Sequence, residues 1–168
     1  LMERDNYESI YFEVFISHKN LDQEIALRIQ TVLKNKQVDA YLDLLDDAIT
    51  GKGEALTMHI KQKLNECTDI LVVMSENTKS SWWVPFEIGM AAQKDLPTVN
   101  YLQAGVMLPD YLSYWPRLKN DSDLVKYVDA RNKVKRQILQ ERMDRGSVYA
   151  SAASETERFY NELKMQLK

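Results

Sequence analysis

The chain has 168 residues, enough for one domain with a real hydrophobic core and too few for two. Its 45% apolar and 28% charged residues exclude a disordered tail, and a formal net charge of −3 argues against a nucleic-acid binder. A single cysteine, Cys67, excludes an internal disulfide framework, and no stretch reaches the length of a membrane span. The amino-terminal segment LMERDNYESI lacks the apolar core of a signal peptide, so the cytoplasm is the expected location. A first residue Leu1 in place of Met reads as a truncation or a cloning scar.

The first half of the chain alternates between two periods, which predicts βα units. Tyr11 to Ile16 is a short aromatic and β-branched run, read as a buried strand, and Ser17-His-Lys-Asn20 breaks it. Leu21, Ile25, Ile29, Val32 and Leu33 then fall at helical spacing, with Asn20 and Gln23 at capping-box spacing. A second strand is expected from Val38 to Leu45, followed by the acidic, glycine-bearing loop Asp46–Gly53 and a helix with Leu56, Ile60, Leu64 and Cys67 on one side. Ile70 to Met74 is apolar on both faces, as a parallel strand between two helical layers should be.

Ser75 to Ser81 is polar and ends in a good N-cap, and Trp82 to Lys94 reads as the third helix. Pro85 is tolerable in its first turn, where the backbone N–H groups have no partner within the helix. Pro97 to Leu102 is a fourth strand. Leu108 to Pro116 is aromatic and proline-punctuated, suited to a packed loop with a helical turn. Asp121 is placed to cap a long charged helix, and Ser154 and Glu157 have capping-box spacing for a last one. The expected architecture is an α/β domain with a central parallel sheet, its core at 8–118, and a helical extension at 119–168 packed on it.

In open parallel sheets ligands bind beyond the carboxyl ends of the strands, which directs attention to the loops Ser17–Asn20, Asp46–Gly53 and Ser75–Ser81 and the turn after Leu102. The helix from Trp82 starts at that rim. Trp83 and Glu87 lie four apart on it, giving a carboxylate beside an indole. A resident metal is not expected, because His18 and His59 are the only histidines and no acidic pair has ligand spacing. Gly51-Lys-Gly lacks the spacing of a phosphate-binding P-loop, and Cys67 has no histidine near it in the pattern.

Val14-Phe-Ile-Ser-His18, Ala40-Tyr-Leu-Asp43 before a glycine loop, Val72-Val-Met-Ser75 and Trp83-Val-Pro-Phe-Glu-Ile88 together resemble, in that order, the TIR (Toll/interleukin-1 receptor) family. The last piece is more similar to the NAD-cleaving bacterial type than to receptor adaptors. The resemblance implies a flavodoxin-like fold and an NAD glycohydrolase or ADP-ribosyl cyclase, with NAD+ as substrate and no cofactor. It implies Glu87 as the catalytic residue, with Ser17, His18, Lys19, Asn20, Ile49 and Trp83 against the substrate. It further implies a homo-oligomer whose site is shared between protomers. A place as the TIR component of a Thoeris anti-phage system follows from the same resemblance, with a phage-derived trigger and a separate effector protein reached through the nucleotide product. Neither nucleic acid nor membrane is an expected partner. Two alternatives stand beside it: a non-catalytic TIR adaptor acting by self-association, and a nucleoside deoxyribosyltransferase-like enzyme.

Overall fold

In the computed structural model, which describes residues 12–42, 53–145 and 152–168, the apolar runs form five short strands. These are β1 (Glu13–Ser17), β2 (Asp39–Leu42), β3 (Asp69–Met74), β4 (Thr98–Leu102) and β5 (Arg117–Leu118). Every pairing is parallel, in the order β2-β1-β3-β4-β5. From β1 the chain moves outward to β2 on one side and later returns to β3 on the other. The carboxyl ends of β1 and β3 therefore flank the topological switch point of the sheet, where the crevice of such folds lies. The expected flavodoxin-like parallel sheet between helices is what the chain forms.

Side chains alternate across the strands and feed two cores. Val14, Ile16, Leu71, Val73 and Val99 pack beneath α1 (Gln23–Asn35), α4 (Asp121–Arg145) and α5 (Ala152–Gln166). Phe15, Ile70, Val72 and Met74 pack beneath α2 (Gly53–Glu66) and α3 (Trp83–Gln93). All six residues of β3 are buried, as its two-sided apolar pattern predicts.

Helix starts depart from the sequence reading in three places. A 3-10 turn, Asn20–Asp22, precedes α1, so Asn20 and Gln23 do not form a capping box across the start of one helix, and Leu21 is 76% exposed. The turn rotates Leu21 off the helical stripe, leaving Ala26, Ile29 and Leu33 to face the sheet. Asn120, not Asp121, caps α4: its Oδ1 accepts from the Asp123 N–H at 2.9 Å, and Asp123 Oδ2 accepts from the Lys119 N–H at 3.0 Å. Ser154 and Glu157 lie inside α5, which starts at Ala152. The cap at Ser81 is present, its Oγ accepting from the Val84 N–H at 3.2 Å.

Two helices, α1 and α3, end on a positive-φ residue that is not glycine. After α1 the Val38 N–H reaches Leu33 O and the Gln37 N–H reaches Lys34 O, with Gln37 at φ +60°. After α3 the same pattern joins Leu96 to Ala91 and Asp95 to Ala92, with Asp95 at φ +54°. Both are Schellman endings carried by a residue with a Cβ, which costs more than glycine would.

The amino-terminal end of β3 carries a buried ion pair. Arg131 of α4, 2% exposed, donates from Nε to Asp69 Oδ2 at 2.7 Å and from Nη2 to Asp69 Oδ1 at 2.9 Å. Tyr127 OH donates to Oδ2 and Thr68 Oγ1 to Oδ1, each at 2.9 Å. Arg131 Nη1 also reaches Glu155 of α5 at 3.2 Å, and the guanidinium lies over the Phe12 and Phe159 rings. Burial alone would lower the Arg131 pKa, but the Asp69 carboxylate more than offsets it and the net shift is upward. Burial, with Asp69 beside it, also pushes the Tyr127 phenol well above its ordinary value.

Arg131→Leu leaves Asp69 buried and uncompensated, and is expected to cost about 3–5 kcal/mol in urea denaturation. The double variant Arg131→Leu/Asp69→Leu is expected to recover much of that loss. A single variant close to wild-type stability would show that the pair does not hold α4 to the sheet.

Candidate active site

The strand ends and the start of α3 meet at the switch point. On α3, Val84, Glu87, Ile88 and Ala91 are buried, which is the spacing of a helix's core stripe. Glu87 thus occupies a position that packing alone would give to an apolar residue, and it is 2% exposed. A carboxylate there is tolerated only if it is hydrogen-bonded. One such bond comes from Ser17, the last residue of β1 and fully buried, whose Oγ donates to Glu87 Oε2.

His18 follows directly and is 4% exposed, with Nδ1 3.3 Å from Ile16 O. Lys19 and Asn20 are half-buried at the rim, where the Asp22 N–H closes the 3-10 turn onto Lys19 O at 2.7 Å. Trp83 is half-buried, packs against the α2–α3 core and meets Phe86 edge-on at 5.8 Å. Ile49 and the loop before Gly53 lie outside the described residues, and Gly53 itself is the first residue of α2. The structure therefore brings Ser17 to Glu87, sets His18 beside that pair along the chain, and gives Trp83 a packing role at the start of the same helix. The strongly exposed indole is its neighbour Trp82, at 91%.

A second buried carboxylate stands at this rim. Asp22, 3% exposed, accepts from Ser75 Oγ at 2.5 Å and from Asn77 Nδ2 at 2.8 Å. Ser75 Oγ in turn accepts from the Asn77 N–H at 3.0 Å, and Thr78 Oγ1 donates to Val73 O at 2.9 Å. The start of α1 is thereby tied to the loop after β3, across the switch point. The sequence reading passed over Asp22 because an acid at a helix start is ordinarily solvated. Its only signal was the concentration of small hydroxyl and amide side chains in Ser75–Thr78.

Two other chemistries find little support. Burial, then the Glu13 carboxylate, pushes the Cys67 thiol up to about 12, so it holds almost no thiolate at neutral pH. His59 of α2 is engaged with the Tyr41 hydroxyl at 2.8 Å, and the described residues include no group of three His, Cys, Asp or Glu arranged for a metal ion. A cleft of about 110 Å³ opens on the neighbouring face of α3, lined by Val84, Pro85, Ile88, Met107, Tyr111 and Leu112 among others. Glu87 does not line it. No helix among the described residues is long and apolar enough to cross a membrane.

Comparison with known proteins adds three findings. A family model described as TIR domain matches residues 14–143. A probable 3′ cyclic ADP-D-ribose synthase, ThsB′, of Bacillus cereus (strain MSX-D12) is 22% identical over 81 residues, 46% of this chain and 42% of that protein. The TIR domains of the activated Roq1 resistosome directly recognizing the pathogen effector XopQ are 15% identical and superpose with a TM-score of 0.45. That superposition covers 92% of this chain and 84% of the other.

Asp22→Ala leaves Ser75 Oγ and Asn77 Nδ2 without their acceptor, and is expected to cost about 2 kcal/mol by chemical denaturation. A loss no larger than that of an exposed acid such as Asp110→Ala would mean the tie contributes nothing.

Proposed function

Because the chain belongs to the TIR-domain family, with the family model spanning 14–143, we propose that it cleaves the bond between ribose C1′ and the nicotinamide nitrogen of NAD+. The observation that carries the proposal is a carboxylate, Glu87, in the core stripe of α3, hydrogen-bonded by Ser17 at the end of β1. Similarity to a probable 3′ cyclic ADP-D-ribose synthase supports it, over less than half of either protein.

The chemistry suits one carboxylate. Cleavage passes through an oxocarbenium-like state that is positive at the sugar, and an anion held in low-polarity surroundings beside C1′ stabilises that charge strongly. Nicotinamide leaves neutral, so no general acid is needed. Ser17 orients the carboxylate, and Lys19, half-buried at the rim, meets the pyrophosphate as a point charge in this reading. Linear ADP-ribose, a cyclic isomer and an ADP-ribose conjugate are the three outcomes, according to which nucleophile captures the cation. In this proposal the product is a nucleotide signal in anti-phage defence, read by a separate effector, and the protein works in the cytoplasm after a phage-derived trigger. NAD+ is consumed and no cofactor takes part.

Self-association belongs to the same proposal. Trp82, 91% exposed, and Phe86, 38% exposed, put aromatic surface at the start of the helix that bears Glu87, which supports a site completed by a second protomer.

Mass spectrometry of NAD+ incubated with the protein is expected to show nicotinamide release that Glu87→Gln lowers about a thousandfold, equivalent to ~4 kcal/mol of barrier. Near-normal cleavage by Glu87→Gln would sink the assignment. A protein that consumes deoxynucleosides and leaves NAD+ untouched would point to deoxyribosyl transfer instead. Specific activity is expected to rise steeply with protein concentration, whereas a constant specific activity down to dilute monomer would exclude a shared site.

A further inference from the structure

The cleft beside the helix that carries Glu87 has no part in the proposed cleavage. Val84, Pro85 and Ile88 of α3 form one wall, and the end of β3 and the turn after β4 form the others. Its floor is sealed, with Met74, Val84, Ile88 and Leu112 each 4% exposed or less. Its mouth is open, with Met107 80% and Tyr111 58% exposed. The volume, about 110 Å³, approaches that of a dry apolar cavity of ~150 Å³ that takes up benzene. That is room for one six-membered ring, with the mouth left for its substituent.

The walls suit an aromatic ring. The thioethers of Met74 and Met107 and the phenol of Tyr111 are polarisable partners for a π face or edge. Most polar atoms of the lining are already spent. Ser75 Oγ donates to Asp22 at 2.5 Å and Thr78 Oγ1 to Val73 O at 2.9 Å, so neither has a proton left for a ligand. Lys79 remains. Its ammonium meets Glu76 at 2.8 Å, both side chains are more than half exposed, and an ammonium carries three protons. A donor with protons to spare thus stands beside an acceptor. A carboxamide presents the matching edge, a carbonyl that accepts and an NH₂ that donates, whereas a carboxylate would set its charge against Glu76.

We propose that this cleft is a second ligand site, separate from Glu87, for a small uncharged aromatic amide. The ring sits among Met74, Leu112 and Tyr111, and the carboxamide meets the Lys79–Glu76 pair. It also packs on Val84 and Ile88, which flank Glu87 in the buried stripe of α3. Nicotinamide, the leaving group of the proposed cleavage, belongs to this class, yet its binding here requires no cleavage.

The full chain, labelled at its methionine methyl groups, is titrated by NMR with nicotinamide and separately with nicotinate. Nicotinamide is expected to shift Met74 and Met107 with a dissociation constant of about 1 mM or tighter. The exposed Met58, Met143 and Met165 are expected to stay in place. Nicotinate, with the same ring and a negative charge, is expected to bind about tenfold more weakly. Lys79→Met keeps the aliphatic stem and is expected to weaken nicotinamide about tenfold, while Glu87→Gln leaves its titration unchanged. No shift at Met74 and Met107, or equal shifts at the exposed methionines, overturns the site. Nicotinate that binds as tightly as nicotinamide, or a wild-type titration in Lys79→Met, overturns the amide as its ligand. Loss of binding in Glu87→Gln would put nicotinamide at that carboxylate and overturns a separate cleft. No NAD+ is present, so none of these outcomes decides whether the chain cleaves it.

Discussion

A carboxylate and a guanidinium buried together at the amino-terminal end of β3 are tolerable only because the edges of the pair are used. Asp69 takes two bonds from Arg131, one from Tyr127 and one from Thr68. Desolvating such a pair costs nearly as much as its attraction returns, so its value lies less in net stability than in alternatives it excludes. With Asp69 at the edge of β3, α4 has one register in which Arg131 is satisfied. That register also brings Glu155 of α5 within reach of Nη1. The pair thereby fixes two helices against the central strand, and the layer containing α1 is closed by them.

The same strand ends in polar chemistry of the opposite kind. At the amino-terminal end of β3 the charges cancel locally, while at the carboxyl end two carboxylates, Asp22 and Glu87, take hydrogen bonds from serine hydroxyls. Hydroxyls and amides satisfy lone pairs without neutralising charge. The rim of the switch point thus carries two hydrogen-bonded carboxylates where α1, α3 and two strand ends converge.

How far this was legible in the sequence depends on the period of each signal. The four longer strands and the stripes of α1, α2 and α5 follow from apolar spacing alone, since burial on a regular element imposes that spacing. β5 has two residues, too few to carry a pattern, and is held by pairing with Asn100 and Tyr101. The helix starts at Asn20 and Asp121 were misplaced by one or two residues, because several adjacent polar side chains are equally able to cap. The ends of α1 and α3 carry Gln37 and Asp95 where glycine would have marked the stop. At the site, Val84-x-x-Glu87-Ile88-x-x-Ala91 is a visible anomaly, a carboxylate in a core stripe, yet the sequence reading paired Glu87 with Trp83 instead. Asp22 and Asp69 were invisible as buried acids, for their partners lie 53 and 62 positions away.

That anomaly bears on how the site works. A carboxylate at 2% exposure acts across a medium far less polarisable than water, so in the proposed cleavage it would stabilise a cation at C1′ several times more than an exposed acid would. Burial also keeps bulk water from that carboxylate. In that proposal the carboxylate promotes bond breaking whatever follows, while the fate of the cation is decided by which nucleophile reaches it. In the proposed reaction the carboxylate that Ser17 holds at the end of β1 serves the cation and not its captor. Changing the product then means reshaping what approaches that strand end, with Glu87 left as it is.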